Sequence, residues 1–524
     1  MSISRFSKES KGRYPVCFAL CPDLFTGTDK DFPLSDGLAR YPEALARYPY
    51  LIDLARIEEA KSRLAAEQSS FPESASIPMI NPHLDLLKVK WRFLPRMLAG
   101  EAVVPEPGDE YVLILKKSGA GVPEVRKASP QDLLALKLVA EQTHPRKAAA
   151  DGKVSLGAID RTILRAKRRG LIIGAGTRIK RPDDFPKGEQ IDPDLFQSPT
   201  FTLQWHITQA CDLNCRHCYD RSERDPMPLD HAIGVLDDLY DFCRDHGVFG
   251  QVSFSGGNPL LYPYFDRLYT EAAERGFMIA ILGNPMPKNR IENMLGIQKP
   301  EFYQVSLEGL IQHNDFIRGR GHYERTVDFL KLLGDMGIYR MVMLTLTAGN
   351  LDQVLELADG LRGLTELFTF SRLATVGRGA DLLPVPVDLF PGFLDQYMEA
   401  ARLNPVMGFK DNLFNPLLRR HNLPLFGGCA GHGCGAAFNF VSLLPDGQVH
   451  ACRKFPSLIG NLYTEKLNTL YYSPAAHRYR QGPEACKDCP VRPACGGCLA
   501  VSFGSGRDIF KESDPYCPRQ AMGL

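Results

Sequence analysis

What the chain has least of is an imbalance of charge. Its 524 residues carry 62 lysines and arginines against 61 aspartates and glutamates, a formal net charge of +1. No global field therefore points to nucleic acid or an anionic lipid surface. No stretch approaches the roughly 18 consecutive apolar residues of a membrane span. An export segment is also wanting: charge is scattered through the first 25 residues, and Val16–Cys21 is too short for the apolar core of a secretory signal. Repeats are no better represented, since ARYP at 39–42 and 46–49 is a local echo and not a repeat architecture. These absences leave a cytoplasmic enzyme as the expectation. With 44% hydrophobic and 23% charged residues the composition is that of a globular chain, long enough for about three to four domains.

Cysteine, by contrast, is plentiful and unevenly placed. Of 14 cysteines, Cys17 and Cys21 sit near the start, three fall between 211 and 218, one is Cys243, and eight lie between 429 and 517. Without an export signal, such clustering points to metal or iron–sulfur ligation and not to a disulfide framework. Cys243 falls in a helical pattern and reads as a small core residue. Cys17 and Cys21 have the option of redox chemistry, but no role is the simpler reading.

Residues 1–107 are expected to form an N-terminal helical region, in which Leu51–Ala65 has helical apolar spacing. Residues 108–181 read as a winged-helix domain. Tyr111–Leu115 is a strand followed by a turn at Ser118-Gly119, and Ser129-Pro130-Gln131-Asp132 opens a helix with a cap, a proline at N1 and an acid at N3. A second helix spans Leu156–Arg169, and the two short apolar runs around Gly174–Gly176 predict a hairpin. Residues 182–200 are proline-rich and read as a linker. Strand and helix patterns then alternate over 200–385, which predicts an α/β fold with a parallel sheet or barrel. Residues 386–428 read as a second linker, and 429–524 as a cysteine-rich domain.

Cys211-Asp-Leu-Asn-Cys215-Arg-His-Cys218 puts three thiolates on one loop directly after a strand. A [4Fe–4S] cluster ordinarily takes four thiolates, so three leave one iron open to chelate something else. This C-x3-C-x2-C loop resembles that of the radical S-adenosylmethionine (SAM) superfamily, which implies a partial (β/α)6 barrel, a [4Fe–4S] cluster and SAM bound at the open iron. An electron then cleaves the sulfonium and yields a 5′-deoxyadenosyl radical that abstracts hydrogen from substrate. Ser255-Gly256-Gly257-Asn258-Pro259 stands where the family has Gly-Gly-Glu-Pro, with Asn258 replacing the usual acid by an uncharged amide. By the same resemblance Ser306 and Glu308 contact cofactor carboxylate and ribose, Arg318 pairs with carboxylate, and His217 packs near adenine. Ordinary loop capping or a solvated charge is the alternative for each of these polar residues.

The C-terminal cysteines resemble the SPASM domain, which implies two auxiliary [4Fe–4S] clusters. The family's interleaved ligation assigns Cys429, Cys434, Cys452 and Cys498 to the first, and Cys486, Cys489, Cys495 and Cys517 to the second. Gly496-Gly497 leaves a gap of two where the family has three, which bears on Cys498. Structural zinc is the alternative, because paired C-x2-C knuckles are a zinc signature.

These resemblances imply a radical SAM oxidoreductase that modifies a ribosomally made precursor peptide, similar in layout to the thio- or selenoxazole-type maturases. Its partners would be a precursor peptide with a leader, held on the winged helix, and an electron donor such as flavodoxin or ferredoxin; no membrane is expected. The basic helix carrying Arg161, Arg165, Lys167, Arg168 and Arg169 also admits DNA binding or a merely solvated face, with nucleic acid the least favoured. The catalytic acid or base is not legible. A sulfatase-maturase-like enzyme is the rival, but Arg453 stands where that branch has its Asp base, and an arginine takes no proton near neutral pH. A non-catalytic iron–sulfur scaffold is the alternative from another class.

Overall fold

The chain folds into two units, divided between Gly176 and Thr177. The computed structural model describes residues 12–25, 33–67, 75, 77–117, 122–189 and 191–518. The turn expected at Ser118-Gly119 lies outside the described residues.

In the N-terminal unit, helix Leu51–Ala66 buries Leu51, Leu54, Ala55, Ile57 and Leu64 on one face, the stripe an amphipathic helix turns to its core. It packs beside a three-stranded antiparallel sheet, in the order Leu84–Arg92, Glu106–Leu115, Glu124–Lys127. Ser129 and Asp132 close a capping box at helix Pro130–Ala140, and the Asp132 carboxylate also takes Arg126 at 2.7 Å and Arg169 at 3.2 Å. Helices Pro145–Gly152 and Leu156–Arg168 complete the unit.

The sequence reading differs here in two places. No hairpin forms over 171–179; Ile172–Ile173 pairs instead with Met79–Ile80, far away in the chain. The sheet also begins at Leu84, inside the region read as helical. Leu87, Val89 and Trp91 alternate there with Lys88, Lys90 and Arg92 in the period of a strand, a signal that the helical reading of 1–107 passed over.

The second unit is built on a nine-stranded sheet. Six parallel strands, Thr200–Thr208, Phe249–Gly256, Met278–Leu282, Phe302–Ser306, Arg340–Leu346 and Leu367–Arg372, follow one another in chain order and in space. Helices intervene between successive strands, the arrangement that right-handed β-α-β crossovers require. Phe440–Leu443 pairs in parallel with Thr200–Thr208 and leads into the antiparallel strands Gln448–His450 and Leu458–Asn461. The C-terminal cysteine-rich segment thus continues the barrel sheet and covers what would be its open edge.

Residues 386–428 are not a linker. Helix Phe390–Leu403 buries Phe390, Phe393 and Tyr397, and helix Phe414–Arg420 buries Phe414. These rings close on Phe370 of the last barrel strand, with centroids 5.1–5.8 Å apart for Phe393, Tyr397 and Phe414. The prolines suggested a break, but the aromatic spacing carries a core. Among the described residues no helix is long and apolar enough to cross a membrane.

Candidate functional site

The C-terminal ends of the parallel strands surround a cavity of about 970 Å³, large enough for a cofactor together with part of a substrate. Its wall includes Cys211, Cys215 and Cys218 from the loop after the first barrel strand. Gly256 and Gly257, at the next strand end, press against that loop. Their N–H neighbourhood is tight: Gly257 N donates to Thr208 O at 2.9 Å and Asn258 N to Ala210 O at 2.8 Å. A Cβ at Gly256 or Gly257 would lie 2.3 or 2.2 Å from a backbone oxygen of the loop. The glycines therefore let two backbones touch, before any cofactor is considered.

Two nitrogen donors face the thiol sulfurs. Asn284 Nδ2 lies 3.5 Å from Cys211 Sγ, and Arg318 Nη1 lies 3.9 Å from Cys215 Sγ. Asn284 also donates to Asp212 Oδ1 at 2.8 Å, and Asn258 Nδ2 donates to the same oxygen at 3.0 Å. Asn258 is fully buried and its Oδ1 has no partner among the described residues. Neither Asp212 nor Asn284 was singled out from the sequence. Asp212 is legible only as a neighbour of Cys211, and Asn284 follows a strand with no motif around it.

Glu308 is buried against two of the other residues singled out from the sequence. It is 1% exposed, and its Oε1 lies 3.0 Å from His217 Nε2 and accepts from Arg318 Nη2 at 2.6 Å; Oε2 takes the Thr345 N–H at 2.7 Å. Burial would raise its pKa, yet the adjacent His217 and Arg318 hold it far below the ordinary carboxylate range. It acts as the anchor of those two side chains, which do line the cavity. His217 Nδ1 is buried without a partner, and Ser306 and Ser255 also line the wall.

The eight C-terminal cysteines fall into two sets. Cys429, Cys434, Cys452 and Cys498 line the cavity. Cys486, Cys489 and Cys517 instead lie close enough to Cys495 for their charges to act on it. Burial pushes the Cys452 and Cys486 thiols up to about 11, and neighbouring thiolates add to the shift. Cys498 is pushed up to about 12, again by burial. Thiols so placed ionise only when a metal takes the charge.

Cations without carboxylate partners supply the complementary observation. Arg181 is buried, and among the described residues its guanidinium donates only to the carbonyls of Arg480, His432 and Cys434, at 2.8, 3.0 and 2.9 Å. Lys410, Arg453 and Lys454 line the cavity, and Arg453 Nη1 donates to Ser255 Oγ at 3.2 Å. A buried cation with no counter-charge is costly, and an anionic thiolate-ligated cluster beside it would remove that cost. The residues present therefore fit iron–sulfur groups. Among the described residues no three His, Cys, Asp or Glu side chains converge on a single-ion site. A four-iron cluster spreads its thiolates over the corners of a cube and does not gather them on one ion.

The comparisons with known proteins come from three directions. Residues 205–359 match the radical SAM superfamily model, and residues 434–490 match the iron–sulfur cluster-binding domain SPASM. The antilisterial bacteriocin subtilosin biosynthesis protein AlbA of Bacillus subtilis is 25% identical over 318 residues, covering 58% of this chain and 68% of AlbA. The mycofactocin maturase MftC of Mycolicibacterium smegmatis is 29% identical over 331 residues, 60% of this chain and 82% of MftC. Among solved structures, Streptococcus suis SuiB bound to precursor peptide SuiA superposes with a TM-score of 0.51 at 19% identity, over 78% of this chain and 96% of SuiB. That likeness is one of fold.

Proposed function

A chain that carries a radical SAM domain and an iron–sulfur SPASM domain is, we propose, a cytoplasmic maturase of a ribosomally made precursor peptide. The two sequence relatives described above are named for subtilosin biosynthesis and mycofactocin maturation, which supports a peptide substrate. In this reading Cys211, Cys215 and Cys218 hold the cluster whose bound cofactor supplies a 5′-deoxyadenosyl radical for hydrogen abstraction. Asn284 and Arg318 donate toward the thiolates, Glu308 fixes Arg318 and His217, and the strand ends at Ser255 and Ser306 shape the pocket for SAM. Cys429, Cys434, Cys452 and Cys498 hold one auxiliary cluster, and Cys486, Cys489, Cys495 and Cys517 the other. A flavodoxin or ferredoxin delivers the electron. Arg453 argues against a sulfatase-type reaction, because the position that branch uses for a base holds a guanidinium bound to Ser255.

The observation that carries the peptide reading is the asymmetry of the N-terminal sheet. One edge is sealed: Lys90 N–H donates to Asp53 Oδ2 at 2.6 Å, and Lys88 O accepts from Arg56 at 3.2 Å. The other edge, Glu124–Lys127, pairs among the described residues only inward, with Glu106–Leu115. Since Ala128 N donates inward to Tyr111 O, strand alternation turns the N–H groups of Lys127 and Val125 outward. An extended leader can add there as a further strand, and the exposed Arg165 and Arg168 suit an acidic one.

The test titrates the small peptides encoded beside this gene against the full-length protein. Binding should weaken with salt and in Arg165→Glu/Arg168→Glu. It should fall about tenfold or more in Val125→Pro, which removes an outward N–H that an edge strand can spare. Duplex DNA binding with indifference to every such peptide would sink the reading.

A further inference from the structure

The loop that carries Cys211, Cys215 and Cys218 is fastened to its surroundings by three exposed arginines. Arg216, directly after Cys215, donates its backbone N–H to Ile317 O and its Nε to Phe316 O, both at 2.9 Å. Its guanidinium carbon lies 4.2 Å from the centre of the Phe316 ring, within the range of a cation–π contact. Arg378, on the segment after the last barrel strand, donates its N–H to Cys218 O at 3.0 Å and its Nη1 to Asn214 Oδ1 at 2.6 Å. Arg221 donates its Nη2 to Leu213 O at 3.0 Å. These side-chain acceptors are all neutral, and none of the three arginines pairs with a carboxylate among the described residues. Of the acids on the same segments, Asp220 pairs with Arg224 at 2.9 Å and Asp315 accepts the Tyr323 N–H at 2.9 Å. Glu223 and Asp225 belong to the cavity wall, and Asp381 is left exposed. Arg216 and Arg378 are not part of that wall, while Arg221 stands in it. Phe316, 54% exposed, adds an apolar ring beside Arg216.

We propose that Arg216, Arg221, Arg378 and Phe316 form the docking surface for an acidic one-electron carrier protein, the flavodoxin or ferredoxin of the reading above. Reductive cleavage of SAM consumes an electron that has to reach the three-cysteine loop from outside the chain. This surface lies on that loop, with Arg216 next to Cys215 and Arg378 bonded to the Cys218 carbonyl. In the transfer one electron leaves the reduced carrier and enters the loop's cluster, and no bond is made or broken. Exposed guanidinium groups steer an acidic partner toward them and raise its rate of encounter. The Phe316 ring supplies a contact that salt does not screen. Because Arg216 and Arg378 lie off the cavity wall, a carrier seated on them leaves the cavity to the substrate.

The surface has this use only if the Cys211/Cys215/Cys218 site cleaves SAM, and the test keeps the two apart. Oxidised flavodoxin and, separately, a ferredoxin are titrated calorimetrically against reconstituted full-length protein. Release of 5′-deoxyadenosine is then followed with each reduced carrier and with saturating dithionite. At least one carrier should bind, more weakly as salt is raised. Its affinity and the release it drives should fall about tenfold or more in Arg216→Glu/Arg378→Glu. Dithionite-driven release should stay at the parent rate in that variant, and Arg216→Lys/Arg378→Lys should retain carrier binding. Failure of both carriers to bind, affinity unchanged by the double reversal, or an equal fall of carrier-driven and dithionite-driven release would each overturn the proposal. So would binding of duplex DNA at these arginines in place of either carrier. No release with dithionite in the parent protein would instead remove the reading beneath it.

Discussion

Asn258 shows how a single departure from a motif is explained by its neighbours. Its buried amide donates to Asp212, and Asn284 donates to the same carboxylate. The negative charge that the family's acid would bring is already present, one residue after Cys211. A glutamate at 258 would set a second carboxylate against Asp212, and two like charges about 4 Å apart at an effective dielectric near 20 repel by about 4 kcal/mol. Asn258→Glu should therefore weaken SAM binding and lower the urea midpoint, although it restores the family's residue. Adding Asp212→Asn should recover both, as equilibrium dialysis and denaturation would show. Recovery absent in the double variant would mean that the two sites do not share one charge. The three-cysteine loop was readable in the sequence because its residues are contiguous. The cations around the first auxiliary set were not, since Arg181, Lys410 and Lys454 meet only after folding, and a lone lysine or arginine in a sequence looks like ordinary surface.

At the scale of elements, all six barrel strands were legible, because strands buried on both faces read as β-rich runs separated by helical patterns. The hairpin over 171–179 was misplaced because Ile172–Ile173 finds its partner at Met79–Ile80, and two-residue strands carry no periodicity. Residues 386–428 were read as a linker from their prolines, while the spacing of Phe390, Phe393 and Tyr397 held the truer signal. That segment is tied to its surroundings by one buried arginine. Arg372, which ends the last barrel strand, donates to Asp411 at 2.7 Å and to both oxygens of Asp514 at 2.8 Å. Asp514 in turn accepts the Cys498 N–H at 2.8 Å. Removing one member of such a buried network leaves uncompensated charge and costs about 3–5 kcal/mol. Arg372→Met should thus destabilise the protein by that amount in urea and loosen Cys498, with iron lost from the C-terminal set before the radical site. Stability within about 0.5 kcal/mol of the parent, the range of a surface substitution, would show that the network is dispensable.

Across the whole molecule, the three cysteine groups occupy one folded unit on two stretches of chain: the loop after Thr200–Thr208, and the part after Phe414–Arg420 that carries both interleaved auxiliary sets. Phe440–Leu443 joins the C-terminal part to the barrel through backbone pairing with Thr202–Trp205, and no radical-site cysteine takes part in that seam. Loss of the radical-site group should accordingly leave the auxiliary ones in place. Anaerobically reconstituted protein should hold about twelve irons, from three four-iron clusters. Reduced enzyme supplied with SAM should release 5′-deoxyadenosine. Cys215→Ala should remove about four irons and abolish that release, while the auxiliary EPR signals persist, because the open iron belongs to the three-thiolate loop alone. Undiminished cleavage in Cys215→Ala would place the SAM-binding iron elsewhere, and zinc bound in the C-terminal part would replace the auxiliary clusters by structural metal.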